Sequence, residues 1–200
     1  MKYHRIFILI AVYSAVLLTV EWQTSQIFIR QFLTDIGQYE IAGYAVNTTL
    51  SVFLLWAIAL LFVISLSCVD KKSTEYWFFI SQIIMFTYLG CDERFLIHEN
   101  VGRLLGRNDA YLLLGLGLLE VGLLVWLGNL KQKTKLARQF LYTAAILFAT
   151  MVLIDAKFPK DMVLRLSLEE LTKLWADICL FLFAWEIMQQ QIRIKKSAIE

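Results

Sequence analysis

Apolar residues in this chain fall in long blocks separated by short polar stretches. A helix that crosses a hydrocarbon core needs roughly 20 mainly apolar residues. That criterion picks out six segments, approximately 5 to 21, 42 to 68, 75 to 92, 110 to 129, 137 to 155 and 168 to 190. In the third block Gly90-Cys91-Asp92 interrupts the apolar run, so the end of that block reads as a separate short helix. Between the first two blocks, Ile29, Phe32, Leu33 and Ile36 recur at helical spacing with Arg30, Gln31 and Asp35 between them. This is the pattern of a short helix lying in the membrane interface. The last block opens on Ser167-Leu168-Glu169-Glu170, the spacing of a capping box with Ser167 as N-cap. The expected fold is therefore all-α: one polytopic membrane bundle of about six transmembrane helices over 1–200, with one interfacial helix.

Composition strengthens this reading. Hydrophobic residues make up 59% and charged residues 18% of the chain, and the mean hydropathy is +0.63, outside the usual range of soluble domains. One proline and nine glycines leave little room for linkers, and no fixed-period repeat is present. The start, Met1 to Arg5 followed by an apolar run to Val20, has the basic opening of a signal peptide but no small-residue cleavage site, so it reads as a retained first helix.

A formal net charge of +2 without a basic stripe excludes nucleic acid as a partner. The expected partner is the lipid bilayer. Short cytoplasmic loops carry an excess of Lys and Arg. One side holds eleven: Lys2, Arg5, Lys71, Lys72, Lys131, Lys133, Lys135, Arg138, Arg193, Lys195 and Lys196. The other holds eight: Arg30, Arg94, Arg103, Arg107, Lys157, Lys160, Arg165 and Lys173. The bias places both termini on the cytoplasmic side of a cell membrane.

The same topology gathers Glu21, Asp92, Glu93, His98, Glu99, Asp155, Glu169 and Glu170 at the opposite, outer face. The densest cluster is Asp92-Glu93-Arg94-Phe95-Leu96-Ile97-His98-Glu99. On one continuous helix Asp92, Glu99 and Arg103 would share a face, with His98 roughly 100° to 120° away, so a second helix would have to complete any site. Two readings stand. One is a metal or proton site in which Asp92, Glu93, His98 and Glu99 are joined by Glu170 or its neighbour Glu169. A single imidazole with carboxylates suits a divalent cation such as Mg, Mn or Ca better than structural zinc. The other is an ion-paired helix end, with a Glu99–Arg103 pair and with Glu169 and Glu170 favouring a helix N-terminus. Asp155 reads as a helix end meeting water.

Glu120 and Asp177 lie deeper, roughly 15 Å and 10 Å into their blocks at 1.5 Å per residue. Charges there cost at least about 2.5 to 3.5 kcal/mol, which makes both acids candidates for a proton or ion pathway. The packing alternatives are a close helix approach at Gly115, Gly117 and Gly122 beside Glu120, and a Lys173–Asp177 pair. Cys68, Cys91 and Cys179 are widely spaced and read as packing residues. With His4 and His98 as the two histidines, on opposite sides, a bis-histidine haem is not expected. No nucleophile, phosphate-loop or zinc-protease motif identifies a catalytic residue. Trp22, Trp77, Trp126 and Trp185 near block ends fit an interfacial aromatic belt.

From about residue 80 to 192 the chain resembles a loose group of uncharacterised bacterial multi-pass membrane proteins that carry D-E-x(4)-H-E at a transmembrane end, here Asp92-Glu93 and His98-Glu99. Members often open their last helix with an acidic pair, matched by Glu169-Glu170. The resemblance implies a shared architecture and a shared acidic site. Three functions remain open: a non-catalytic membrane component with a cation or proton site, a membrane-embedded metal-dependent hydrolase, and a proton- or cation-coupled transporter.

Overall fold

The computed structural model describes residues 3–33, 45–106, 110–159 and 162–197. Among these the chain is all-α, with eight helices and no strand. They are α1 (His4–Gln23), α2 (Gln26–Leu33), α3 (Val46–Leu66), α4 (Thr74–Phe95), α5 (Ile97–Leu105), α6 (Ala110–Trp126), α7 (Lys135–Lys157) and α8 (Arg165–Ser197). A 3-10 turn, Leu130–Gln132, joins α6 to α7. Residues 34–37 of the expected interfacial helix and 42–44 of the second apolar block lie outside the described residues. By length and composition α1, α3 and α7 are apolar enough to cross a membrane, and α6 is a shorter apolar helix.

The helix starts follow local chemistry. Ser73 caps α4 by accepting the Tyr76 N–H at 3.1 Å, and Thr134 caps α7 by accepting the Ala137 N–H at 3.1 Å. Such caps satisfy backbone donors that have no partner inside the helix. The expected cap at Ser167 is not formed. Leu164, at φ 64°, ends the preceding turn, and α8 starts at Arg165, so Ser167 lies within the first helical turn. Its hydroxyl is buried without a hydrogen-bond partner among the described residues.

Helix α8 is the central element, packed along α7, α3 and α1, while α3 also packs along α4. The α1–α8 pair is antiparallel: Tyr3 donates to Glu186 at one end, and Trp175 Nε1 donates to Ser14 at 3.0 Å further along. Phe62 of α3 centres the core, with ring centroids of Phe78, Phe79, Phe86 and Phe183 at 6.0, 6.0, 5.9 and 6.4 Å. Aromatic pairs of this kind contribute about 0.5 to 1.5 kcal/mol each beyond area burial. This rigid packing fixes the relative positions of the acids on α4 and α8.

At the end of the bundle holding both chain-terminal helix ends, a second polar group forms. Lys133 is buried, binds Glu75 at 2.8 Å and lies 5.7 and 5.9 Å from the Phe78 and Phe79 rings. It joins the α6–α7 turn to the start of α4.

Candidate functional site

The opposite end holds the acids. Helix α4 stops at Phe95 because Leu96 takes left-handed backbone angles, φ 52° and ψ 43°, and α5 begins immediately after it. That conformation costs a non-glycine residue roughly 1 to 2 kcal/mol, and such costs persist where surrounding contacts over-determine the geometry. The contact here is Asp92, one turn earlier. Its Oδ1 accepts the His98 backbone N–H at 2.7 Å, and its Oδ2 lies 2.7 Å from His98 Nδ1. The expected separate short helix is present as α5, but the break falls at Leu96 rather than at Gly90-Cys91-Asp92, and across it His98 meets Asp92 instead of turning away as it would on one continuous helix.

One carboxylate thus caps α5 and orients the imidazole. With Nδ1–H directed at Asp92, Nε2 is left to accept or donate a proton. Among the described residues it has no hydrogen-bond partner. Burial of the ring opposes its charge, but the Asp92 hydrogen bond and the charges of Asp92 and Glu93 outweigh burial and the repulsion of Lys173. The His98 pKa is raised above its ordinary 6.5.

Helix α8 supplies the other wall. Lys173 Nζ lies 2.8 Å from Glu93 Oε1 and 2.9 Å from Glu170 Oε2. The expected Lys173–Asp177 pair is therefore replaced by a bridge to Glu93 and Glu170, and Asp177 instead accepts the Ser51 hydroxyl. Arg165 forms a second bridge, 2.8 Å from Asp155 Oδ1 and 3.0 Å from Glu169 Oε2. Asp155, expected at a wet helix end, is tied into the site by this guanidinium.

Helix α3 contributes residues that the sequence reading passed over. Asn47 Nδ2 donates to Glu170 Oε2 at 3.2 Å, and Ser51 serves Asp177. The signal was present: Asn47, Thr48 and Ser51 are polar residues at helical spacing within an otherwise apolar block, and all three are buried.

These side chains surround one partly enclosed cavity of about 140 Å³. It has space for several waters, since one needs roughly 10 to 15 Å³ by this measure. Asp92, Glu93, His98, Glu99, Asp155, Glu169, Glu170, Lys173 and Asp177 all line it. Glu21 does not; it is buried on α1 with both carboxylate oxygens unpartnered among the described residues. Glu120 is also separate and accepts from Gln82 Nε2 at 3.2 Å. Of the glycines near Glu120, Gly117 packs tightly against Phe148, whereas a Cβ at Gly115 or Gly122 would meet no atom within 4 Å. Close helix approach within this chain therefore applies to Gly117 alone.

Among the described residues, no group of three or more His, Cys, Asp and Glu side chains is disposed to hold one metal ion. The cations of the site are the chain's own Lys173 and Arg165.

Residues 5–187 match the family defined as a domain of unknown function, DUF8692. The chain belongs to that family. No curated protein and no solved structure matches it. The DUF8692 match spans α1 to most of α8, so the cavity lies wholly within the family's boundaries.

Proposed function

We propose that this DUF8692 chain is a multi-pass integral membrane protein of the cell membrane, with six spans and cytoplasmic termini, whose outer-end acidic cavity binds protons or cations without catalysing a reaction. The spans are α1, α3, α4, α6, α7 and α8. Outward positions along them are large and apolar, as Leu9, Phe53, Leu60, Ile84, Leu118, Val125 and Ile146 illustrate. A bilayer accommodates such a surface, whereas water penalises it. On α4 and α8 the polar residues Gln82, Asp92, Glu170 and Asp177 are buried within the bundle. Trp22, Trp77 and Trp126 are exposed near helix ends, as interfacial anchors are.

The observation that carries the functional reading is the charge balance of the cavity. Seven carboxylates line it, those of Asp92, Glu93, Glu99, Asp155, Glu169, Glu170 and Asp177, against the ammonium of Lys173 and the imidazole of His98. Arg165 adds one further cation beside Asp155 and Glu169. Low-dielectric walls concentrate the field of such a lining, so the cavity attracts protons and cations. Ionisable groups at this depth in a membrane protein mark ion or proton paths by default.

A specific observation favours coupled transport as the second reading. Asp177 follows Lys173 by one helical turn and lines the same cavity as the outer acids, so a cation entering at Glu99 and His98 has a deeper acid to reach. The metal-dependent hydrolase reading required His98, Glu99 and an α8 acid around one ion, and among the described residues no such group is disposed to hold one. Reconstitution into liposomes separates the readings. Cation or proton binding without flux is expected of the binding protein. Flux abolished in a folded Asp177→Asn variant identifies a transporter, and absence of any binding overturns both.

A further inference from the structure

A groove of about 400 Å³ lies between α3 and α4, beside the acidic cavity, with Thr48 lining both. Thr49, Val52, Phe53 and Trp56 of α3 complete its wall, and Arg94 closes it from the last turn of α4. Arg94 is the one charged side chain among the described residues that line it. The adjacent acid, Glu93, is held by Lys173 instead. Gly90, one turn before Arg94, shapes the groove: a Cβ there would overlap the Trp56 indole at Nε1 and Cδ1. Glycine thus lets the indole lie against α4.

Polarity changes along this groove. The Arg94 guanidinium and the exposed Thr49 hydroxyl sit where α4 ends and α3 begins, and Val52, Phe53 and Trp56 follow along α3. Phe53, Trp56, Leu60 and Val63 are all exposed and recur at spacings of three and four residues, so one apolar stripe runs down α3 from the groove. Along α4, Gly90 under the indole lies about 6 Å inward of Arg94, at 1.5 Å per residue. Among the described residues nothing accepts the Trp56 indole N–H.

These features fit an amphiphile with a negative head and an apolar tail. A phosphodiester suits arginine, whose planar guanidinium can pair with two phosphate oxygens at once. The ester carbonyls of a glycerophospholipid lie a short way inward of its phosphate, within the span between Arg94 and the indole N–H. A soluble anion leaves the stripe unused, and an uncharged lipid leaves the guanidinium unmatched.

We infer that the α3–α4 groove binds an anionic glycerophospholipid of the surrounding bilayer, with its phosphate on Arg94 and Thr49 and an acyl chain along Phe53, Trp56, Leu60 and Val63. The inference goes beyond ion binding in the cavity and rests on the proposed function only for the bilayer around α3 and α4.

The test is native mass spectrometry of the full chain released from detergent, titrated with phosphatidylglycerol or with phosphatidylcholine of the same acyl chains. Wild type is expected to retain one phosphatidylglycerol molecule with severalfold higher affinity than phosphatidylcholine. Arg94→Gln is expected to lower phosphatidylglycerol affinity about tenfold and to abolish the preference. Arg94→Lys keeps the charge without the planar fork and is expected to fall between the two. Thr49→Val, at an exposed position, is expected to weaken phosphatidylglycerol binding by a smaller factor. Equal binding of both lipids by wild type overturns the inference, as does an unchanged preference in folded Arg94→Gln. Where Arg94→Gln does not fold, unchanged phosphatidylglycerol affinity in Thr49→Val overturns it. Displacement of the lipid by inorganic phosphate also overturns it, because the apolar stripe then contributes nothing. Phosphatidylglycerol preference in a chain that binds no ion or proton in liposomes leaves the groove standing and removes the cavity reading; ion binding without lipid preference does the reverse.

Discussion

Asp92 accepts two hydrogen bonds from His98, one from the backbone N–H and one at Nδ1, each at 2.7 Å, across a helix break at Leu96. The carboxylate does two jobs that different residues usually share: it caps α5 and holds the imidazole. Asp92→Ala removes both. The loss of the cap alone costs about 0.5 to 2 kcal/mol, and the lost bond to a charged group adds roughly 1.5 to 3 kcal/mol when the imidazole is protonated. Asp92→Asn is expected to retain more of the cap than of the imidazole bond. Chemical denaturation of both variants beside wild type checks the order.

The same pair sets a pH dependence. The folded His98 pKa is raised above the ordinary 6.5, so folding binds a proton more tightly than the unfolded chain does. The stabilisation is fully present below about pH 6.5 and is lost as pH rises through the elevated folded value. His98→Gln is expected to flatten the stability profile in that window and leave the acidic limb unchanged. Identical profiles for variant and wild type would remove the imidazole from the account.

Lys133 and Glu75 make the opposite argument about a pair. The Lys133 side chain is 1% exposed and that of Glu75 31%. Glu75→Gln strands a buried ammonium, a loss of about 3 kcal/mol or more. Lys133→Met leaves an acid that water can reach, a loss of about 1 kcal/mol. Unfolding measured on both variants is expected to show Glu75→Gln as the more damaging change.

Gln82 and Glu120 are coupled across α4 and α6. Either Gln82→Leu or Glu120→Leu leaves its partner unsatisfied, at about 1 to 3 kcal/mol. The double variant removes both polar groups and is expected to approach wild-type stability or exceed it. A double-mutant cycle reads the coupling, and simple additivity of the two losses would show that the groups act independently.

Much of the helix layout was legible because the apolar blocks are long and sharply bounded, as Val46–Leu66 and Ala110–Trp126 show. The candidate site was legible as a list of acids and as a shared end of the bundle. Its wiring was not. A left-handed Leu96 has no sequence signal, because nothing distinguishes it from any other leucine, and it alone brings His98 back to Asp92. Ser167 was misread for the same reason: Leu164 takes the left-handed turn that starts α8 one turn earlier than the capping pattern indicated. Lys173 had three acids within reach on its own helix, Glu169, Glu170 and Asp177; it pairs with Glu170 together with Glu93 from α4, while Asp177 is taken by Ser51 from α3 and Glu169 by Arg165. Contacts between distant blocks decide such choices, and periodicity within one block does not contain them.

The measurement closest to the central claim is a proton titration of the purified chain between about pH 8 and about pH 5, using wild type and the folded Glu170→Gln/Asp177→Asn variant. Coupled groups in one cavity exchange protons as a unit. The account predicts a difference curve between the two proteins, altered further by saturating K⁺ because ion and proton share the same lining. Superimposable curves, unchanged by K⁺, would contradict a cation or proton site in this cavity.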